Sequence, residues 1–146
     1  MCRYATTRYK PHYACFKCRK AFKRRNKDEV DPEGGDHPAR CPDCRLLMAD
    51  MGLDFAPPRR ADVRAWEALA RMFEVGETFQ SCGCGGPGWR PRRPADLAAF
   101  FEERLREYRA QRDRWQQSAA SPARAAALRS WRERVARLEA AVALSA

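Results

Sequence analysis

Two Cys-x-x-Cys pairs, Cys15/Cys18 in YACFKC and Cys41/Cys44 in RCPDC, are separated by residues 19–40. A two-residue spacer lets both sulfurs of a pair reach one ion from a tight turn, and two such knuckles complete the tetrahedron that zinc takes from four thiolates. Cys15, Cys18, Cys41 and Cys44 are therefore the ligands expected for one structural Zn2+. The competing chemistries are two disulfides or a thioredoxin-like redox pair. A redox pair belongs at the start of a helix after a buried parallel strand, and no apolar run precedes either pair.

The second constellation is Cys82-Gly-Cys84-Gly-Gly-Pro-Gly. A C-x-C spacing also occurs in metal knuckles, and its glycines let the backbone turn tightly around an ion. The remaining candidate ligands are Cys2, His12 and His37. Cys2 and His12 with Cys82 and Cys84 would make a Cys3His site for a second zinc. Against this stands the plainer reading, small buried cysteines at a turn and surface histidines. A third option is a reactive thiol pair whose pKa is lowered by Arg90, Arg92 and Arg93.

The third candidate surface is basic. Residues 1–27 hold ten Lys and Arg and no Asp or Glu, and they contain all five lysines of the chain. That one segment carries a charge equal to the +10 of the whole protein. Lys10, Lys17, Arg19, Lys20, Lys23, Arg24, Arg25 and Lys27 alternate with Tyr4, Tyr9, Tyr13, Phe16 and Phe22, the composition of a surface that neutralises phosphates and stacks on unpaired bases. In so small a module, however, some of these aromatics must supply the core beside the metal. The acidic stretch at 28–38 is an alternative, intramolecular partner for the cations.

The elements that must position these residues follow from pattern. Residues 9–25 read as the first hairpin of a zinc ribbon, and DEVDPEGGDHP as a Pro/Gly-rich loop. LLMADMGLDF then returns to pack on the hairpin until Pro57 and Pro58 close the unit. Asp62 caps a predicted helix to about Glu74 with Val63, Trp66, Leu69, Ala70 and Phe73 on one face. Pro94 and Asp96 open a long helix to about Ser118 with a seam of Leu97, Phe101, Leu105, Tyr108, Arg112 and Trp115. After Ser121-Pro122 a second carries Leu128, Trp131, Val135, Leu138 and Val142. The two seams predict an antiparallel αα-hairpin; a coiled-coil dimer is the other reading of the same stripe. The fold class is α+β: a zinc ribbon with a basic N-terminal arm (1–56), a linking helix and Gly/Cys-rich segment (57–93), and a helical hairpin (94–146).

No stretch approaches the roughly 20 apolar residues that span a bilayer, and MCRYATTRYK has no apolar secretion segment, so a cytoplasmic location is expected. There thiols stay reduced, which favours metal over disulfides. No catalytic constellation is present: a four-cysteine site is closed to substrate, and G-x-S-x-G, phosphate-loop and H-E-x-x-H motifs are missing.

Together YKPHYACFKCRKAFKRR, CPDC, LMADMGLDF and SCGCGGPG resemble a family of small, uncharacterised bacterial zinc-ribbon proteins, over about residues 1–110. The resemblance implies a zinc ribbon at Cys15, Cys18, Cys41 and Cys44 and a bacterial origin, and it brings no activity with it. The expectation is a non-enzymatic zinc protein whose basic ribbon contacts RNA or DNA, on the ribosome or the transcription machinery. The alternative is a protein-interaction adaptor that works through residues 94–146. Neither a membrane nor a small-molecule substrate is indicated. The Arg-laced helices at 96–146 carry ten cations against seven acids, a near balance that gives them no electrostatic role on sequence grounds alone.

Overall fold

A computed structural model describes residues 9–35, 37–80 and 89–145. Strands β1 (His12–Cys15), β2 (Lys20–Lys23) and β3 (Ala49–Gly52) form an antiparallel sheet in the order β2-β1-β3. The register sets Ala14 against Ala21 on one side and Ala49 on the other. Three alanines in a row leave space for helix side chains to approach the sheet. A single turn of helix, α1 (Lys27–Val30), follows β2 and buries nothing.

Helix α2 (Val63–Glu74) starts where Asp62 accepts a hydrogen bond from the Ala65 amide at 3.1 Å, the expected N-cap. Its buried face is Ala65, Trp66, Ala68, Leu69 and Met72. That face is turned from the predicted one: Val63 and Phe73 are exposed and Ala70 is half-buried. Both stripes obey the same three-and-four spacing, and burial of Ala68 and Met72 in the common core, with Phe73 left against Phe16 at its edge, separates them.

After a 3-10 turn at Pro94–Asp96 come α3 (Leu97–Gln117) and α4 (Pro122–Ser145). Ser121 caps α4 through its hydroxyl, which accepts from the Arg124 amide at 3.0 Å, with Pro122 in the first helical position. The Arg124 guanidinium in turn donates to the carbonyls of Trp115 and Gln116, satisfying the end of α3. With Tyr108 edge-on to Trp131 at 5.3 Å, these contacts run α4 back along α3.

One buried cluster joins the parts. It takes Ala14, Ala49 and Met51 from the sheet, Trp66, Leu69 and Met72 from α2, Leu97, Phe100, Phe101 and Leu105 from the first half of α3, and Val135 and Leu138 from the second half of α4. Met51, Met72, Leu97, Phe101 and Leu138 are fully buried, each contributing about 2–3 kcal/mol of hydrophobic stabilisation. Residues 77–80 lace the sheet to the helices: the Phe79 amide donates to Met51 O at 2.8 Å and its carbonyl accepts from Asp54 N at 3.1 Å. Gly52, at φ +94°, allows this passage, since a Cβ there would meet the Phe79 carbonyl at 2.6 Å. Glu77, the one charged side chain buried among the described residues, accepts from the Tyr108 hydroxyl at 2.6 Å beside the guanidinium groups of Arg90 and Arg104. Burial, then this hydrogen bond, pushes Tyr108 up to about 12.

Candidate metal centre

The two cysteine pairs occupy two turns of similar construction. Cys15 ends β1 and Lys20 opens β2, so Phe16–Arg19 form the turn between paired strands. Cys41 and Cys44 occupy a second turn, held by the Arg40–Leu47 bridge and by Cys41 N to Leu46 O and Met48 N to Ala39 O at 2.8 and 2.7 Å. In each pair the first cysteine is buried and the second half-buried. The residue after each pair is an arginine in the left-handed region, Arg19 at φ 52° and Arg45 at φ 65°. That conformation swings the chain back after the second sulfur, a position where glycine would carry no steric cost.

The turns bring all four sulfurs within 4.8 Å of one another. Cys15 Sγ and Cys44 Sγ, one from each turn, are 3.6 Å apart, and all four thiols are free. A tetrahedron with Zn–S bonds of about 2.3 Å has edges of about 3.8 Å, so the spacing fits a tetrathiolate metal site rather than a pair of disulfides. The Cys18 amide points at Cys15 Sγ from 3.4 Å, the support that a thiolate needs.

The protonation of the group fits the same use. Burial raises the Cys15 thiol, partly offset by the Cys18 amide. Burial also raises Cys18, to about 12, with the Cys44, Cys15 and Cys41 thiols adding to the effect. Burial opposes ionisation of Cys41 too, yet the backbone N–H groups of Cys44 and Asp43 and the neighbouring thiols bring it down to about 7. Cys41 ionises easily, and Cys15 and Cys18 ionise only with difficulty beside it unless a dication at the centre compensates the charge. Cys15, Cys18, Cys41 and Cys44 could thus hold a metal ion.

Comparison with protein-family models, with curated proteins and with solved structures finds no match. What the site can do rests on its own chemistry. Four cysteine ligands leave no open position, so such a centre cross-links its two turns.

Of the second candidate metal set, Cys2, Cys82 and Cys84 lie outside the described residues. His12 sits on β1 with Nδ1 3.3 Å from Gly52 O and its ring edge-on to Phe55. His37 faces Asp31 at 3.2 Å, inside a loop where Asp31 also accepts the amides of Glu33 and Gly35.

The basic residues divide into two groups. Lys20 pairs with Asp43 and so joins the two turns across the metal centre. Arg19 donates to Arg60 O at 2.9 Å while Arg60 donates to Cys18 O at 3.2 Å, a reciprocal clamp between the first turn and the approach to α2. Arg24 lies over the Tyr13 ring at 5.7 Å. Lys10, Lys17, Lys23, Arg25 and Lys27 are exposed. Of the aromatics, Tyr13 is buried, Phe16 packs against Trp66 and Phe73 with centroids 6.4 and 5.9 Å apart, Phe22 is half-buried and Tyr9 is 38 % exposed, while Tyr4 lies outside the described residues. The Arg60 clamp and the Asp43 pairing were missed from sequence. Asp43 carries a weak signal, as the one acid inside a knuckle, whereas Arg60 is one arginine among many.

No helix among the described residues is long and apolar enough to cross a membrane.

Proposed function

We propose that this is a non-enzymatic zinc protein of zinc-ribbon type whose metal centre holds a basic face against nucleic acid. Zinc is the metal that a closed set of four thiolates suits without redox chemistry. The observation that carries the functional reading is the state of the cations around the centre. Lys17, Lys23, Arg25 and Lys27 are exposed and meet no carboxylate among the described residues, on a segment without one acid. Asp31, from the acidic loop, spends its oxygens on its own loop instead of on these lysines. With Tyr13 and Phe16 packed inside, contact is to phosphates more than to bases. The helical seam is filled from within the chain, by Phe101, Leu105, Val135 and Leu138, which supports this reading over an adaptor working through an open seam.

The test is binding of the metal-loaded protein to RNA and DNA oligonucleotides as a function of salt. Replacing Lys17, Lys23, Arg25 and Lys27 with Gln should weaken binding to all sequences alike. The log–log salt slope should flatten by about 0.7 per lost contact on single strands and about 0.9 on duplex DNA. Absence of affinity at low salt, or a slope unchanged in the variant, rejects the reading.

A further inference from the structure

The near balance of charge in the last two helices does not survive their folding. Between residues 109 and 134 there are seven arginines (109, 112, 114, 124, 129, 132 and 134) and two acids, Asp113 and Glu133; the rest of 96–146 has three arginines against five acids. Because α4 runs back along α3, the sequence-distant halves 109–117 and 122–134 become one end of a helical pair. The acids collect at the other end, beside the core.

That basic end also lies outside the core. The buried cluster takes its last α3 residue at Leu105 and its first α4 residue at Val135. From Leu105 to the end of α3 at Gln117 a helix advances roughly 18 Å. Leu128 is the one buried side chain in this stretch. The pairing continues through half-buried Tyr108, Trp115 and Trp131.

Several of the seven arginines have structural work. Arg124 caps α3, Arg112 pairs with Asp113 at 2.8 Å, Arg109 pairs with Glu139 at 2.7 Å, and Arg134 covers the Trp131 ring at 4.9 Å. Arg114, Arg129 and Arg132 are exposed with no carboxylate partner among the described residues. Arg129 and Arg132, three apart, lie on one side of α4. Trp131 packs with Tyr108 at a centroid distance of 5.3 Å and lies under the Arg134 guanidinium, and Trp115 is half-buried along the helix pairing, so the exposed face of the tip presents cations more than rings.

We propose that this helical tip is a second phosphate-gripping surface, for the backbone of a nucleic-acid duplex. A duplex presents one negative charge per about 1.7 Å of axis, a dense linear anion whose stacked bases require no ring from the protein. In naming nucleic acid the inference rests on the functional reading above, but its residues and its test are separate.

The experiment measures binding of the full-length, metal-loaded protein to a DNA duplex, its single strand and polyglutamate across a salt series. Two variants are compared with the wild type: Arg114→Gln with Arg129→Gln and Arg132→Gln at the tip, and the four-residue ribbon variant described above. Helicity and melting temperature should be unchanged in the tip variant, since none of its three side chains is packed. Three lost contacts should lower the duplex salt slope by about 2.7, independently of the ribbon variant. A tip variant that binds duplex with the wild-type slope overturns this inference and leaves the ribbon reading standing if the ribbon variant is weakened. The reverse pattern keeps the tip and removes the ribbon. A loss confined to single strands or to polyglutamate overturns the assignment of duplex, and a wild type that binds no nucleic acid ends both readings.

Discussion

The two cysteine turns share a backbone and differ in what supports it. Each is Cys-x-x-Cys-Arg with a buried first cysteine and a left-handed arginine. The first turn closes the β1–β2 ladder, packs Phe16 on α2 and is clamped by Arg60. The second is held by the isolated Arg40–Leu47 bridge and the exposed Lys20–Asp43 pair, and the residues leaving it, Leu46 and Leu47, are 50 % and 63 % exposed. A knuckle built into a sheet has neighbours to hold it; one held by a single bridge and an exposed ion pair has fewer. A metal bound by the four thiols would therefore do unequal work on its two sides.

The largest effect that probes this contrast is metal removal. In isolated zinc modules the ion supplies on the order of 10 kcal/mol of folding energy. Here chelation, or Cys41→Ser, should release the Cys41 and Met48 amides to hydrogen exchange while the β1–β2 ladder and α2–α4 keep their protection. Equal and simultaneous exchange of both turns would break the contrast.

Next in size is Gly52→Ala. Gly52 ends β3, which carries the second turn back to the core, and a methyl group there collides with the Phe79 backbone. A loss of about 3 kcal/mol is expected from overpacking and left-handed strain together. Thermal melting reads it, and a neutral substitution would show that the passage of residues 77–80 over Gly52 does not tie the sheet to the helices.

The smallest effects compare the two arginines. Arg45→Gly relieves left-handed strain at an exposed side chain and should stabilise by up to about 1 kcal/mol. Arg19→Gly relieves the same strain but forfeits the hydrogen bond to Arg60 O, worth about 1 kcal/mol, and should come out near neutral. Identical shifts in the two variants would mean that the clamp contributes nothing.

How much of this was legible beforehand depended on whether the signal was local. The cysteine spacing, the Asp62 cap and the Pro122 start are short-range chemistry, and the structure shows each where its residues stand. The face of α2 was misjudged because Phe73 and Met72 are equally apolar and only the assembled core, which takes Met72, separates them. Phe100 was not expected in the core, since a strict seam skips it, yet Trp89 and Phe101 surround it. The Arg60 clamp and the Lys20–Asp43 pair join residues 42 and 23 positions apart, beyond any pattern in the chain. The charge of the helical tip was hidden for a similar reason: a count along 96–146 averages over two halves that folding places side by side.

Native mass spectrometry with metal analysis would settle whether Cys15, Cys18, Cys41 and Cys44 form the proposed tetrathiolate zinc centre. To isolate this centre, the chain should carry Cys2→Ser, Cys82→Ser and Cys84→Ser. One zinc per chain is expected in that variant, lost when Cys41→Ser is added, whereas a second zinc present only in the unaltered chain would belong to the Cys2, His12, Cys82 and Cys84 set. A variant that carries no zinc, or one that keeps its zinc after Cys41→Ser, would rule out a zinc centre on these four cysteines.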